Sequence, residues 1–281
     1  MKIAYLGPEG SYSHLAAQNF LKQETQNGKG WSECVPFRNF PEVINAVAAG
    51  KADGAAIPIE NSLQGGVSQN LDLLQEAEGL YAVKEYVLPI DHRLIYKEGV
   101  RLEEIGRVYS HRQALDQCAE FLSRRMPFAS LRETESTAFG LTRAMEDDSG
   151  KSAAIAGSHA ENLRKGFVVG EECLSDEKNN FTHFLLVKKG EKALPNTSER
   201  IFFSAVCPHR PGSLLELLAI IAKQKINMTK IESRPVKNTP GDYRFFIEAD
   251  CDLSSNEAKE LLKEVREKTL ECKLLGAYAR G

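Results

Sequence analysis

Lys2-Ile3-Ala4-Tyr5-Leu6-Gly7-Pro8-Glu9-Gly10-Ser11-Tyr12-Ser13 runs from a short apolar strand through a turn into the first turn of a helix. Gly7-Pro8 stops the strand, and Ser11 or Ser13 caps a helix reaching to about Glu24. The same alternation continues downstream. A helix is expected over 41–49, ended by Gly50, and a buried strand over 54–57, stopped by Pro58. A loop over 59–66 leads to a helix over 67–78, and 82–88 and 92–96 read as paired strands. A strand at 108–110 precedes a helix over 113–124, and Ser136-Thr137 caps a helix to about Glu146. A small-residue strand at 153–156 is followed by a capped helix from Ser158, and 184–187 closes the region as a strand. Strands alternating with helices imply an α/β region with mainly parallel pairing. Such sheets hold ligands where strand ends meet helix N-termini. The loops at 7–13, 58–66, 110–113, 134–137 and 157–158 fall there and are rich in Ser, Thr, Asn and Gly. They suit uncharged donors aimed at an anion, though helix capping gives part of the same pattern.

Beyond residue 188 the pattern changes. Residues 189–199 are polar, contain Pro195 and read as a linker. Residues 200–281 then run strand 200–207, helix 211–223, strand 226–235, strand 243–249, helix 254–268, strand 272–278. This βαββαβ order is ferredoxin-like. A chain of 281 residues and 31.2 kDa fits two such domains. Apolar residues at 42% can fill a core, and a net charge of −3 argues against a polyanion-binding surface. Six scattered cysteines without a C-x-x-C suit reduced thiols in the cytoplasm. The histidines show no zinc-ligand spacing. The first apolar run is too short for a signal peptide, and Leu214–Ala222 is interrupted by Glu216, so neither secretion nor a membrane span is expected. No G-x-G-x-x-G or G-x-x-x-x-G-K occurs.

Several segments, in order, resemble the prephenate dehydratases of the monofunctional bacterial type. They are Leu6-Gly7-Pro8-Glu9-Gly10-Ser11-Tyr12-Ser13-His14; Pro58-Ile59-Glu60-Asn61-Ser62 with Gly65-Gly66-Val67; Ser110-His111-Arg112-Gln113-Ala114 with Gln117-Cys118; Ser136-Thr137-Ala138; and Asn180-Phe181-Thr182-His183-Phe184. Arg112 stands where that family usually has Pro, and His183 where it has Arg. The last 80 or so residues resemble an ACT domain, with Gly212-Ser213-Leu214 and Glu232-Ser233-Arg234-Pro235 as its motifs. The resemblance implies a two-lobed, periplasmic-binding-protein-like catalytic region at 1–188 with a cleft between the lobes. It implies conversion of prephenate to phenylpyruvate with release of carbon dioxide and water, and feedback inhibition by L-phenylalanine at an ACT domain over 200–281. No cofactor or metal is expected, because aromatisation of the ring supplies the driving force.

The enzyme must supply orientation, a donor for the departing hydroxyl and a place for two carboxylates. The Thr-Arg-Phe resemblance makes Thr182 the donor, a hydroxyl that relays a proton rather than a strong acid. Ser11, Tyr12 and Ser13, beside Gly10, suit a carboxylate cradle, as does Thr137. Asn61, Ser62, Ser110, Gln113, Gln117 and Phe184 are expected to orient substrate; Gln113 and Gln117 share one helical face. His183 is expected to replace the arginine clamp. A histidine is largely neutral above about pH 6.5, so substrate binding through it weakens as pH rises. Alternation in a strand equally allows His183 to face away from Thr182. Glu60 is given a structural role, since a carboxylate repels a dianion, and His14 and His111 are read as packing groups. In the second domain, Gly212, Ser213, Leu214, Asn227, Met228, Glu232, Ser233 and Arg234 are the expected phenylalanine contacts.

Three rivals remain open in the sequence. Arogenate dehydratase performs the same elimination on the amino-acid analogue. A non-enzymatic sensor would need no donor at Thr182. A transcription regulator lacks support, because no helix-turn-helix with a basic face flanks either region, and no nucleic-acid or membrane partner is expected. Edge strands of an ACT-type sheet suit pairing between subunits, giving a homodimer, with a homotetramer as the alternative.

Overall fold

The computed structural model describes residues 2–26, 33–160, 165–237, 239 and 241–281. Two sheets organise them. The larger runs, edge to edge, through strands Asn227–Pro235, Tyr243–Asp250, Arg200–Cys207, Glu271–Tyr278, Leu80–Pro89, Phe181–Lys189, Gly54–Asn61, Lys2–Leu6 and Glu33–Phe37, with Gly65–Gly66 paired onto Gly54–Asn61. The smaller runs through Phe167–Val169, Arg93–Lys97, Ser152–Ala156, Arg107–His111 and Ser130–Thr134. The α/β reading holds, and pairing is mixed. Lys2–Leu6 pairs in parallel with both its neighbours, as does Arg107–His111, whereas Phe181–Lys189 and Arg93–Lys97 are antiparallel to theirs.

Two lobes result, because the chain crosses between the sheets twice, at 90–92 and at 170–180. The expected pairing of 82–88 with 92–96 does not occur. Leu80–Pro89 stays in the large sheet and Arg93–Lys97 starts the small one. No Asn-Gly or Asp-Gly turn joins them; Pro89-Ile90-Asp91-His92 is a crossing, not a hairpin. The strand expected to stop at Pro58 runs on to Asn61. Its ladder with Lys2–Leu6 ends at Ala4↔Ala55, and its ladder with Phe181–Lys189 passes the proline through a bulge between His183 and Phe184. The helix expected over 113–124 breaks into Arg112–Asp116 and Ala119–Arg125, with Gln117 as C-cap of the first. The helix expected from Ser158 lies partly outside the described residues; Ser158 and His159 form a turn.

The C-terminal strands take the order expected of a βαββαβ unit, with helices Ser213–Lys223 and Asn256–Lys268 packing their Leu217, Leu261 and Val265 on one face over Ile201, Phe203 and Ile247. The other face is not free. Phe202, Phe246, Leu275 and Tyr278 join one buried cluster with Val43, Leu71, Leu74 and Leu80 of the first lobe. Gly276 pairs with Ala82 and so joins the strands of the C-terminal unit to those of the first lobe within the larger sheet.

Candidate active site

The cleft between the lobes is a cavity of about 300 Å³, and strand ends and helix starts line it. From the first lobe come Leu6, Gly7, Ser11, Tyr12, Ser13, Pro58, Asn61, Thr182 and Phe184; from the second, His111, Gln113, Ala114, Gln117, Glu135, Ser136 and Thr137; from the crossing, Ile90 and His92. Among the described lining residues there is no lysine or arginine. The described lining offers an anion neutral donors and helix ends. The helix Tyr12–Gln26 begins in one wall and Thr137–Glu146 in the other. In the second, Ser136 accepts from Phe139 N at 3.0 Å, which leaves the first-turn N–H groups of Thr137 and Ala138 directed out of the helix. In the first, Ser11 Oγ accepts from His14 N at 3.2 Å, and the N–H groups of Tyr12 and Ser13 stay open in the same way.

Asn61 and Thr182 sit opposite one another in the antiparallel ladder, so both side chains take the cleft face. Asn61 is buried, and its Oδ1 accepts from Leu63 N at 3.1 Å and Gln64 N at 3.2 Å. Its Nδ2 must then face Asn180 Oδ1 at 3.0 Å, Thr182 Oγ1 at 3.1 Å and Phe181 O at 3.2 Å. An amide nitrogen accepts nothing, so the Thr182 hydroxyl proton cannot go back to Asn61. Among the described residues no other acceptor takes it, which leaves Thr182 Oγ–H as a donor toward the cleft.

The structure brings Ser11, Tyr12, Ser13, Asn61, Gln113, Gln117, Thr137, Thr182 and Phe184 to one cavity, as the sequence led us to expect. Three expected contacts lie elsewhere. Ser62 Oγ donates to Asn179 O and accepts from Phe181 N, both at 3.0 Å, and so pins the loop behind the cleft. Ser110 is fully buried and donates to Ile155 O at 2.6 Å, tying two strands beneath the floor. His183 takes the opposite face of its strand from Thr182 and is buried, with Nε2 3.0 Å from Glu85 Oε2. A residue turned that way cannot clamp a ligand in the cleft, so the expected weakening of substrate binding through His183 is not supported. Burial alone would raise the Glu85 carboxyl's pKa, but His183, the Gly281 N–H and Arg200, at 2.7 Å, together hold it below its usual range. Glu60 also takes the far face, paired with Lys230 of the last domain, in line with a structural role.

Sequence reasoning passed over His92 and Glu135 and read His111 as packing. His111 Nδ1 accepts from Gln113 N at 3.3 Å and caps that short helix, while its ring lines the cleft. His92 is a lone histidine, and its partners lie 25 and 80 residues away, so no local spacing could mark it. Among the described residues no group of His, Cys, Asp and Glu could hold a metal ion.

The expected phenylalanine contacts divide. Gly212 (φ 84°) caps the helix Ser213–Lys223, and Ser213 lines a cavity of about 430 Å³ with Cys207, His209, Arg210, Tyr243 and Phe245. Leu214 and Met228 pack on the domain core, and Asn227 donates to Asp250 at 3.1 Å. Glu232 and Arg234 point at the first lobe instead: Glu232 accepts from Ser68 Oγ at 3.1 Å and Arg234 reaches Asp72 at 3.3 Å. Ser233, between them, is exposed on the edge strand. Within one chain these residues do not form a single pocket, because alternate positions of an edge strand look in opposite directions.

The prephenate dehydratase family model matches residues 3–192, and the ACT domain model matches residues 202–267. The chain belongs to the prephenate dehydratase family. The prephenate dehydratase of Amycolatopsis methanolica is 32% identical over 100% of this chain and 89% of that protein. A solved structure of prephenate dehydratase from Arthrobacter aurescens in complex with L-Phe superimposes with a TM-score of 0.86 at 30% identity, covering 100% of this chain and 90% of that one. A structure described as GqqA, a novel type of quorum quenching acylases, gives a TM-score of 0.85 at 25% identity over 100% of this chain and 98% of that one.

Proposed function

We propose that the cleft binds prephenate and converts it to phenylpyruvate, carbon dioxide and water. The bond to the ring carboxylate breaks, its electron pair passes through the ring, and the ring C–O bond breaks at the far end. The departing hydroxide takes up one proton and leaves as water. The observation that carries this reading is the Thr182 hydroxyl, which accepts from Asn61 Nδ2 and keeps its own proton for the cleft. Thr182 donates to the departing oxygen and relays a proton to it, a contribution typically worth about 10²–10⁴ in rate. The two carboxylates of the substrate meet the two helix N-termini, one in each wall. A spectrophotometric assay for phenylpyruvate tests the reading; no product from prephenate overturns it. Acyl transfer would call for a base beside the nucleophile, and the group beside Thr182 Oγ1 is the Asn61 amide.

One observation favours arogenate as an alternative substrate. Glu135 lines the cleft beside Ser136 and Thr137, and a carboxylate there suits the ammonium that arogenate carries where prephenate has a keto group. Running the same assay with both substrates decides between them by the ratio of kcat/KM.

We infer further that the C-terminal domain binds L-phenylalanine and lowers activity. The N-terminus of the helix Ser213–Lys223 has no side-chain cap and suits a carboxylate, and Tyr243 and Phe245 offer the ring apolar contact. The exposed edge strand Asn227–Pro235 carries Ile231 at 40% exposure and suits pairing with a second copy of the chain, as a homodimer or a higher assembly. The free cysteines fit a cytoplasmic enzyme; no described helix is long and apolar enough to cross a membrane. Calorimetry with phenylalanine and sedimentation with and without it test these points; absence of both heat and inhibition overturns the regulatory reading.

A further inference from the structure

A chain of hydrogen bonds crosses the floor of the cleft, and two backbone amides fix its polarity. Leu63 N–H and Gly-preceding Gln64 N–H can only donate, so Asn61 Oδ1 is their acceptor and Asn61 Nδ2 faces Asn180 Oδ1 at 3.0 Å. Asn180 Nδ2 therefore faces Gln117 Oε1 at 3.2 Å. That same Oε1 lies 2.9 Å from His92 Nε2. An oxygen needs a hydrogen from the ring, so His92 Nε2 carries the proton. His92 Nδ1 is left facing Tyr12 Oη at 3.3 Å, and the Tyr12 hydroxyl also reaches Asp91 O at 2.7 Å. No side chain in the series has a free choice of orientation.

We propose that His92 is a positioning residue that, together with Asn180, locks the Gln117 amide with its oxygen turned into the protein and its Nε2 hydrogens turned to the cleft. The consequence is chemical. A glutamine held in this sense offers two donors to an anionic substrate. Rotated by half a turn it would present an oxygen, which repels a carboxylate. With only one of its two donors left, Gln117 Oε1 would be held less firmly in the inward sense. His92 sits at the crossing between the lobes and Gln117 at the end of Arg112–Asp116, so the bond also fixes the second lobe's donor relative to the first lobe's Asn61 and Thr182. Burial lowers the pKa of His92, outweighing the Gln117 bond and Asp91, which keeps the ring neutral and singly protonated as the geometry requires.

The proposal rests on the reading of the cleft as a dehydratase site, and the experiment separates the two. Nitrogen NMR of the intact protein labelled in histidine reads the His92 tautomer without any turnover; a ring protonated at Nδ1 rather than Nε2 overturns the proposal even if the enzyme is active. Absence of prephenate turnover in wild-type protein would instead overturn the function and leave the tautomer result standing. For the variants, His92→Leu is expected to lower kcat/KM by about tenfold or more, the scale of one lost bond to a buried group. His92→Gln, whose amide N–H can reach the same oxygen, is expected to restore most of it. In a Gln117→Ala background, His92→Leu is expected to add no further loss. A purely structural role would show the same loss in both backgrounds, with no rescue by Gln, and either result overturns the proposal.

Discussion

Replacing Thr182 by valine removes one hydroxyl and keeps the shape and strand propensity of the side chain. The structure sets the cost to folding. Asn61 Nδ2 has two hydrogens and faces three acceptors: Asn180 Oδ1 at 3.0 Å, Thr182 Oγ1 at 3.1 Å and Phe181 O at 3.2 Å. Without Thr182 Oγ1, the two hydrogens still have two acceptors. No buried donor is orphaned, so the loss of stability should stay at or below the about 1 kcal/mol of an ordinary hydrogen bond. The cost to catalysis is of another order. Removing a positioned proton donor takes about 10²–10⁴ from the rate. Because the hydroxyl acts on the departing oxygen, the loss should fall on kcat and leave KM nearly unchanged. Initial rates of phenylpyruvate formation over a range of prephenate, with a melting curve on the same preparation, measure both effects. A folded Thr182→Val enzyme with near-normal kcat would refute the assignment of the donor.

Glu24 is buried between Lys84 at 2.7 Å and Lys188 at 2.9 Å, and although burial works against its charge, the two lysines lower its pKa from 4.5 to about 2. Such a carboxylate stabilises the fold above its unfolded pKa by about 3 kcal/mol, and this is lost as pH falls through the folded value; Glu24→Gln should therefore melt lower at pH 7 and converge with wild type as the pH drops toward about 2, and parallel curves at every pH would exclude it. Lys230→Met removes the ion pair with Glu60 across the domain junction; inhibition by phenylalanine should weaken by about fivefold or more while uninhibited turnover holds, and unchanged inhibition would count against the junction as a route of control. Gly276→Ala would drive a Cβ into the Ala82 carbonyl, at the residue pair that joins the two halves of the larger sheet, so denaturant melts should show a large loss of stability, and a wild-type midpoint would show that the junction can yield.

Much of the architecture was legible because it is local. The alternation of strands and capped helices needs only nearest neighbours, and Ser136, read as a cap, accepts from Phe139 N. Edge strands were harder. Glu33–Phe37 carries Pro36 and Ser130–Thr134 is almost wholly exposed, so neither shows the apolar pattern that marks a buried strand. The separation of Leu80–Pro89 from Arg93–Lys97 left only a negative sign, the lack of a hairpin turn between them, because two strands close in sequence otherwise look the same whether they pair or part. Thr182, Asn61 and Gln117, which line the cleft, lie in ordered motifs. Ser62 and Ser110 lie in the same motifs, yet their hydroxyls bond to Asn179 O and Ile155 O. A motif marks a neighbourhood; which of its side chains turns toward the ligand is decided by ladder register and by backbone acceptors that lie far away in sequence.

The register also explains why cleft and regulatory domain lie back to back. Thr182 and Asn61 are paired across the ladder and share one face; His183 and Glu60, paired beside them, share the other. The first pair builds the donor. The second reaches the C-terminal domain's side: His183 through Glu85 to Arg200, and Glu60 to Lys230. Two adjacent backbone units thus face the cleft on one side of the sheet and make the domain contact on the other. A shift of the edge strand Asn227–Pro235 that disturbs Lys230 or Glu232 acts on a strand whose next side chain orients the Thr182 hydroxyl. Gly66 lies against the end of the Glu232 side chain, so a methyl group there would displace that carboxylate. His183 therefore belongs to the wall behind Thr182 and not to the face that lines the cleft.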